Sequence, residues 1–395
     1  MSYLMPIYQP LDIELQHGQG CYLWDTQNRC YFDAISGVGV TLLGHAHPQI
    51  HQEIVLQSQS FLHLSNLFKH AWNERLAEKL AQISGLTRTF FCNSGTEANE
   101  AAIKLARLYG HHRGIQHPKI IVMHNAFHGR TLGALSATAK VEYRQPFYPL
   151  LSGFEFVAFN DLTAITKYQD DPDVVAVLLE PIQGEAGIHI ASLPYLKQLR
   201  QYCDQQQWLL IFDEIQSGLG RTGTWFYHQQ ADICPDILTI AKGLANGLPI
   251  GACLTNEKLG NLFHTGTHGS TFGGNPLACR VAYSVLNILE QQYLADIYHK
   301  GQKLINLLQT QLTGLKHIRS VRGVGLMIGI ELTTVVDALP QLACDQFSLL
   351  LNVTQGKVIR LLPPLIITDA EIEYLAQQIY LLCQTLDQST HEIAS

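Results

Sequence analysis

Two charged residues close short, strongly apolar runs, a placement that invites chemistry. Lys242 ends Thr239-Ile-Ala-Lys242, and Asp213 follows Trp208-Leu-Leu-Ile-Phe212. Burying an unpartnered charge costs several kcal/mol. Lys242 could snorkel from a strand end, or its amine could be no ammonium at all, having condensed with a carbonyl compound to an imine. Asp213 could merely cap the next turn. Alternatively it could face the ring nitrogen of a bound heterocycle, because an opposite charge in contact favours the charged form by about one to three pKa units. A ring kept protonated in this way draws electrons and makes a nearby C–H bond acidic. A buried Asp followed one strand–helix–strand unit later by a buried Lys favours the chemical reading of both.

Three further stretches supply what such a ligand needs. Asn93-Ser-Gly-Thr-Glu-Ala-Asn99 follows a short aromatic run and opens a helix whose Ala98, Ala101, Ala102, Leu105 and Ala106 share one face. Backbone N–H groups and hydroxyls at that helix start form a phosphate cradle, although Ser or Thr there is also an ordinary N-cap. Ala126-Phe-His-Gly-Arg130 offers a ring to stack on a flat ligand and an arginine three residues on. Gly269-Ser-Thr-Phe-Gly-Gly-Asn-Pro276 is a second phosphate-competent turn. Each stretch is weak alone, and in this order they are specific.

The elements that must position these residues read as α/β. Apolar runs at 89–92, 119–123, 174–179, 208–212 and 237–241 alternate with helical patterns, as in a mainly parallel sheet. In such sheets ligands gather at the carboxyl ends of strands, where the residues above fall. From Pro276 the pattern turns helical, with Leu277, Val281, Val285, Leu286 and Leu289 on one face. Strand-like stretches follow at 320–332 and 357–361, then a helical pattern from about Asp369 to Leu386. The expected partition is a large ligand-binding lobe over 51–286 and a smaller one built from 1–50 and 287–395.

The bulk properties exclude several function classes. The 395 residues are 47% hydrophobic and 15% charged, with a net charge of −7 and no basic block suited to nucleic acid. No apolar run approaches a membrane span, and Met1-Ser-Tyr-Leu-Met-Pro6 lacks the pattern of a signal peptide. Nine scattered cysteines without a C-x-x-C read as reduced thiols in the cytoplasm. Of the eighteen histidines, His124 and His128 lie four apart, yet no Cys or carboxylate joins them at zinc-ligand spacing, so no metal is expected.

Taken together the motifs resemble a family, the class III aminotransferases of pyridoxal-phosphate (PLP) fold type I, over nearly the whole chain. The wording of Leu64-Ser-Asn-Leu-Phe68, Ala241-Lys-Gly-Leu-Ala-Asn-Gly247, His268-Gly-Ser-Thr-Phe-Gly-Gly-Asn-Pro276 and Val358-Ile-Arg-Leu-Leu-Pro-Pro364 is most similar to its acetylornithine branch. The resemblance implies a seven-stranded, mainly parallel sheet between helices plus a smaller α+β lobe. It also implies a homodimer with its sites at the subunit interface. Lys242 would carry the cofactor. Ser94, Gly95 and Thr96 would hold its phosphate, joined by Thr271 of a partner subunit, while Phe127 would stack on the ring. Asp213 would pair with the ring nitrogen and Gln216 would contact the 3′-oxygen.

The same resemblance implies that Arg130, Ser270, Glu185 and Arg360 bind substrate. Glu180 and Glu185 match the family's acidic motif, and Glu185 is expected to pair with Arg360. Such a pair accounts for two substrates in one site. Arg360 can take a carboxylate bidentately, and when the other substrate carries no charge there, Glu185 can neutralise it. An ordinary brace is the alternative reading. The implied reaction moves the terminal amine of N-acetylornithine to 2-oxoglutarate. Ornithine, succinylornithine and a lysine-pathway amine are the nearest rivals, with decarboxylases and aminomutases of the same fold behind them. The chain departs from its relatives at Ile7-Tyr-Gln-Pro10, where many have Tyr-x-Arg, which leaves the detail of the substrate entrance open.

Overall fold

The computed structural model describes residues 3–393; the outermost residues of the expected small lobe, 1–2 and 394–395, and the first two of the N-terminal reading lie outside them. The apolar runs become a seven-stranded sheet. Its order across is Arg88–Cys92, Gly251–Thr255, Ile237–Ile240, Leu209–Asp213, Val174–Leu179, Lys119–Met123 and Phe154–Val157. Every pairing is parallel except those of Gly251–Thr255, which runs against both neighbours. The strands Val174–Leu179 and Leu209–Asp213 are buried at every residue, which is why they read as continuous apolar runs instead of alternating ones. Phe154–Val157 and Gly251–Thr255 escape that reading because they are short and carry Glu155, Gly251 and Thr255.

The helix Gly95–His112 lies against this sheet through Ala98, Ala101, Ala102, Leu105 and Ala106, all buried. Small side chains let the helix approach closely. On the other side, the helix Pro276–Ile288 runs through a π-turn at Leu289–Tyr293 into the helix Leu294–Leu312, so residue 286 sits within a helix.

Two smaller sheets complete the fold. The strands Leu15–Gln19, Tyr22–Asp25 and Cys30–Asp33 form one, and Leu349–Leu350 joins it in parallel beside Cys30–Asp33. The two ends of the chain thus share a sheet. The other has the order Ile318–Val324, Met327–Leu332, Val358–Leu361, Asn352–Thr354 and is antiparallel throughout. The stretch expected as one strand over 320–332 is a hairpin, because the chain turns at Gly325-Leu326, where Gly325 takes a φ of 55°. The final helix spans Asp369–Ile393. Among the described residues no helix is long and apolar enough to cross a membrane.

Candidate active site

The carboxyl ends of the parallel strands surround a cavity of about 370 Å³. Asn93, Ser94, Gly95 and Thr96 enter it after Cys92, Phe127 to Arg130 after Met123, and Glu180 and Glu185 after Leu179. Asp213, Ile215 and Gln216 come from the end of Leu209–Asp213, and Lys242 from just beyond Ile240. Asp213 pairs with Thr239 across the parallel ladder, so the carboxylate and the lysine are carried on neighbouring strands in fixed register. Lys242 stands at a φ of 41°, a left-handed conformation seldom adopted outside glycine and concentrated at functional sites.

Asp213 is buried and its carboxylate is held from three directions. One oxygen accepts from Asn99 Nδ2 at 2.7 Å and from His128 Nδ1 at 2.8 Å, and the other from the Ile215 N–H at 3.1 Å. Asn99 is fixed in turn by Thr239, whose hydroxyl donates to Asn99 Oδ1 at 2.8 Å. Because an ionised Asp213 only accepts, His128 must donate through Nδ1. His128 is therefore part of the site as a partner of Asp213. Sequence reasoning assigns neither Asn99 nor His128 a place in the site. A polar residue on the alanine face of the 95–112 helix was the available signal for Asn99.

Burial pulls the Lys242 amine below the ordinary lysine range. The carboxylates of Glu185, Asp213 and Glu180 act the other way, and Arg360 adds to the lowering. Glu180 accepts from the Phe127 N–H at 2.8 Å and the Gly184 N–H at 3.4 Å. Its carboxyl is pushed well up, first by burial and then by the charge of Asp213.

The helix start is capped by its own side chains. Ser94 is the N-cap and accepts from the Glu97 N–H at 3.3 Å, while Glu97 reaches back to the Asn93 N–H at 2.6 Å. Thr96 Oγ1 accepts from the Arg130 and Thr131 N–H groups, both at 3.2 Å. That contact needs Gly129: its φ is 138°, and a Cβ there would stand 2.2 Å from Thr96 Oγ1. Arg130 is exposed, its guanidinium stacked 3.7 Å over the Tyr143 ring and 5.7 Å from that of Phe127.

Arg360, almost fully buried, donates through Nη1 to Glu185 Oε1 at 2.5 Å and to Gln216 Oε1 at 3.3 Å, and through Nε to Asn352 at 3.3 Å. Burial works against the Glu185 charge, but Arg360, together with Lys242 and Gln216, outweighs it and holds this carboxyl below the usual range. Gly184 is required here too, since a Cβ would meet Gln216 Oε1 at 2.0 Å. Ser270 and Thr271 stand apart from the cavity. Ser270 lines a neighbouring one of about 270 Å³ with Glu97, Glu100, Lys104 and His268, and accepts from Asn93 Nδ2 at 3.2 Å, while Thr271 is exposed.

The sequence profile of class III aminotransferases ("Aminotransferase class-III") matches residues 4–382. The chain belongs to that family. The acetylornithine aminotransferase of Nitrosomonas europaea is 46% identical over 381 residues, 96% of this chain and 97% of that protein. Among solved structures, the ornithine aminotransferase from Toxoplasma gondii ME49 matches with a TM-score of 0.94 at 31% identity, covering 98% of this chain and 94% of that one. The N-acetylornithine aminotransferase from Stenotrophomonas maltophilia K279a matches with a TM-score of 0.84 at 34% identity, covering 96% and 98%. Class III aminotransferases work with PLP, and the cavity fits that group. It offers a helix start for a phosphate, a ring from Phe127, a buried carboxylate, and an amine whose proton is loosely held.

Proposed function

We propose that this chain transfers the terminal amino group of N2-acetyl-L-ornithine to 2-oxoglutarate, giving N-acetyl-L-glutamate 5-semialdehyde and L-glutamate, a step of arginine biosynthesis. The observation that carries the reading is one cavity lined by Lys242, Asp213 and the 94–96 helix start, with the Glu185–Arg360 pair at its edge. When bound, the cofactor supplies an aldehyde to take up the amino group and a ring to store the electron pair left on carbon.

The chain's own residues do the rest. Ser94, Gly95 and Thr96 bind the phosphate, Phe127 covers the ring, Gln216 meets the 3′-oxygen, and Asp213, aimed by Asn99 and His128, keeps the ring nitrogen protonated. Lys242 holds the cofactor through Nζ. When the donor takes its place, burial favours the neutral Lys242 amine, which would take the proton from the amine-bearing carbon and deliver it to the former aldehyde carbon of the cofactor. Arg130 binds the far end of either substrate, and Ser270, which lies outside this cavity beside Thr271, would join it from the second copy of a dimer. Arg360 binds the α-carboxylate of 2-oxoglutarate or glutamate, and Glu185 neutralises Arg360 when the donor is present.

The name carried by relatives at 46% identity supports acetylornithine as donor. Ornithine is the second reading, favoured by the shape match to the Toxoplasma enzyme. Identity weighs more here, since shape follows the backbone and donor choice follows side chains. A homodimer is part of the proposal: Thr271 is exposed and outside the cavity, as expected of a residue serving a partner's phosphate, and Phe68, Leu132 and Phe272 are exposed apolar side chains a second copy could cover. The nine free cysteines support a reducing cytoplasmic compartment. The sheet shared by Cys30–Asp33 and Leu349–Leu350 supports a small lobe built from 1–50 and 287–395 beside a cofactor lobe of 51–286.

Borohydride reduction of the yellow holoenzyme followed by peptide mapping tests the core of the reading. The cofactor is expected on Lys242, and a reduced adduct on another lysine overturns it. Mixing the enzyme with acetylornithine, ornithine and succinylornithine in turn, and ranking the rates at which the visible band bleaches, decides the donor.

A further inference from the structure

The turn that carries Glu185 is gripped by a row of residues lying side by side across the second small sheet. Arg322 pairs with Gly329, Gly329 with Arg360, and Arg360 with Asn352. Residues in register across a sheet put their side chains on one face. Here that face meets the hairpin formed by Ile182–Gln183 and His189–Ile190. At one end of the row Arg360 holds the Glu185 carboxylate. At the other, Arg322 holds the backbone: Nε donates to the Gly187 and Ile188 carbonyls, both at 3.0 Å, and Nη2 to Gly187 O at 2.6 Å. Its remaining nitrogen is anchored by Ser320 Oγ at 3.0 Å and Glu331 at 2.7 Å. Between the two arginines Gly329 leaves room for Ile188, whose Cβ would lie 3.1 Å from a side chain placed there.

The gripped backbone is strained. Ile188, β-branched and fully buried, stands at a φ of 59°, and Gly187 at 108°. A β-branched residue in the left-handed region persists only where its surroundings over-determine it. The carbonyl that Arg322 takes is that of Ile188 itself. Gln355 adds a bond from Nε2 to the Glu185 carbonyl at 3.0 Å. The turn is therefore pinned at the Glu185 carbonyl and just after it, which leaves the Glu185 side chain, one-third exposed, to move.

We propose that Arg322 is a positioning residue for substrate discrimination: by clamping the Gly187 and Ile188 carbonyls it keeps Glu185 within reach of Arg360, so that the exchange between substrates is a swing of one side chain on a fixed turn. The proposal rests on the two-substrate role given above to Glu185 and Arg360. Loss of the clamp lets the 184–188 turn relax and leaves Arg360 unneutralised when the donor is bound, while 2-oxoglutarate, which needs Arg360 alone, is unaffected.

The holoenzyme with Arg322→Ala tests this, with Arg322→Lys as a milder variant and Arg319→Ala, an exposed neighbour on the same Glu331, as control. In Arg322→Ala the acetylornithine half-reaction should slow roughly tenfold and the 2-oxoglutarate half should stay within about twofold. The double variant with Glu185→Ala should be no slower than Glu185→Ala alone, since both remove one device. Hydrogen–deuterium exchange should rise in the peptide spanning 182–190 and nowhere else, with Arg322→Lys between Arg322→Ala and the unaltered protein. Equal slowing of both halves, additive losses in the double variant, or unchanged exchange at 182–190 overturns the proposal. If Glu185→Ala itself slows both halves alike, the two-substrate reading fails, and the exchange data alone then decide whether Arg322 holds the turn.

Discussion

The Lys242–Asp213 centre and the Glu185–Arg360 pair sit at the same cavity but are built on opposite plans. Lys242 and Asp213 come from adjacent strands of one sheet, and Asp213 is locked by Asn99, His128 and the Ile215 N–H. Glu185 and Arg360 lie 175 residues apart, one on a turn and the other on a strand, joined by a single ion pair in which arginine is buried and glutamate is partly open. The first plan suits a carboxylate that must keep one relation to a cofactor atom through every turnover. The second suits a contact that has to form and break as substrates alternate. Under the proposed reaction, rigidity falls where the chemistry would be constant, and freedom is limited to one side chain where the substrate would change.

The largest effect separating the two regions should come from Asp213→Asn. This change keeps shape but removes the charge, and is expected to lower turnover by at least about a hundredfold, ~2.7 kcal/mol in barrier. Both half-reactions should suffer alike because both use the same ring. Retention of more than a tenth of the activity in stopped-flow assays would remove Asp213 from its role. Arg360→Ala should instead split the halves. The 2-oxoglutarate half should lose about 2–5 kcal/mol, the usual cost of truncating a buried charge pair, and the acetylornithine half much less. Glu185→Ala should show the reverse asymmetry. If both variants damage both halves equally, the pair is a brace and the contrast drawn above collapses.

The smallest effect is one of pH on the cofactor-free protein. Burial lowers the folded-state pKa of Lys242, so between that value and the ordinary lysine range the unfolded chain binds more protons than the folded one. Stability should therefore rise with pH through that interval. Lys242→Met should flatten the rise, measured as the urea midpoint at a series of pH values. A slope unchanged by the substitution would mean that the amine is better solvated than its position indicates.

Much of this was legible in sequence because buried parallel strands read as unbroken apolar runs, and their ends announce themselves by the first charged residue. Lys119–Met123 and Val174–Leu179 were read to the residue for that reason. Gly251–Thr255 was not, since an antiparallel strand opening on glycine offers neither signal. Of the site, the residues with an unusual address stood out: a lysine and an aspartate at strand ends, a glycine turn before a helix. What stayed hidden were the partners that aim them. Asn99 is one polar residue on an alanine face, His128 one histidine of eighteen, and Arg322 one arginine on a half-buried strand. Their roles depend on which backbone carbonyl or carboxylate lies within 3 Å, and no local pattern encodes that distance.

The order of the large sheet also has a history in time. Arg88–Cys92 has a single neighbour, Gly251–Thr255, and that strand is the last of the seven to leave the ribosome. Until then the aromatic strand of the phosphate turn is an open edge. The close seat of Gly251 against the Ser94 carbonyl and Cys92 does not yet exist. Pairings this remote in the chain form slowly and expose unpaired edges meanwhile. The cavity is therefore closed late in synthesis, and Arg360 reaches it later still. A chain halted before Gly251 carries Lys242 and Asp213 but not the strand that flanks Arg88–Cys92, so under the proposed function cofactor capture waits until synthesis has passed Gly251.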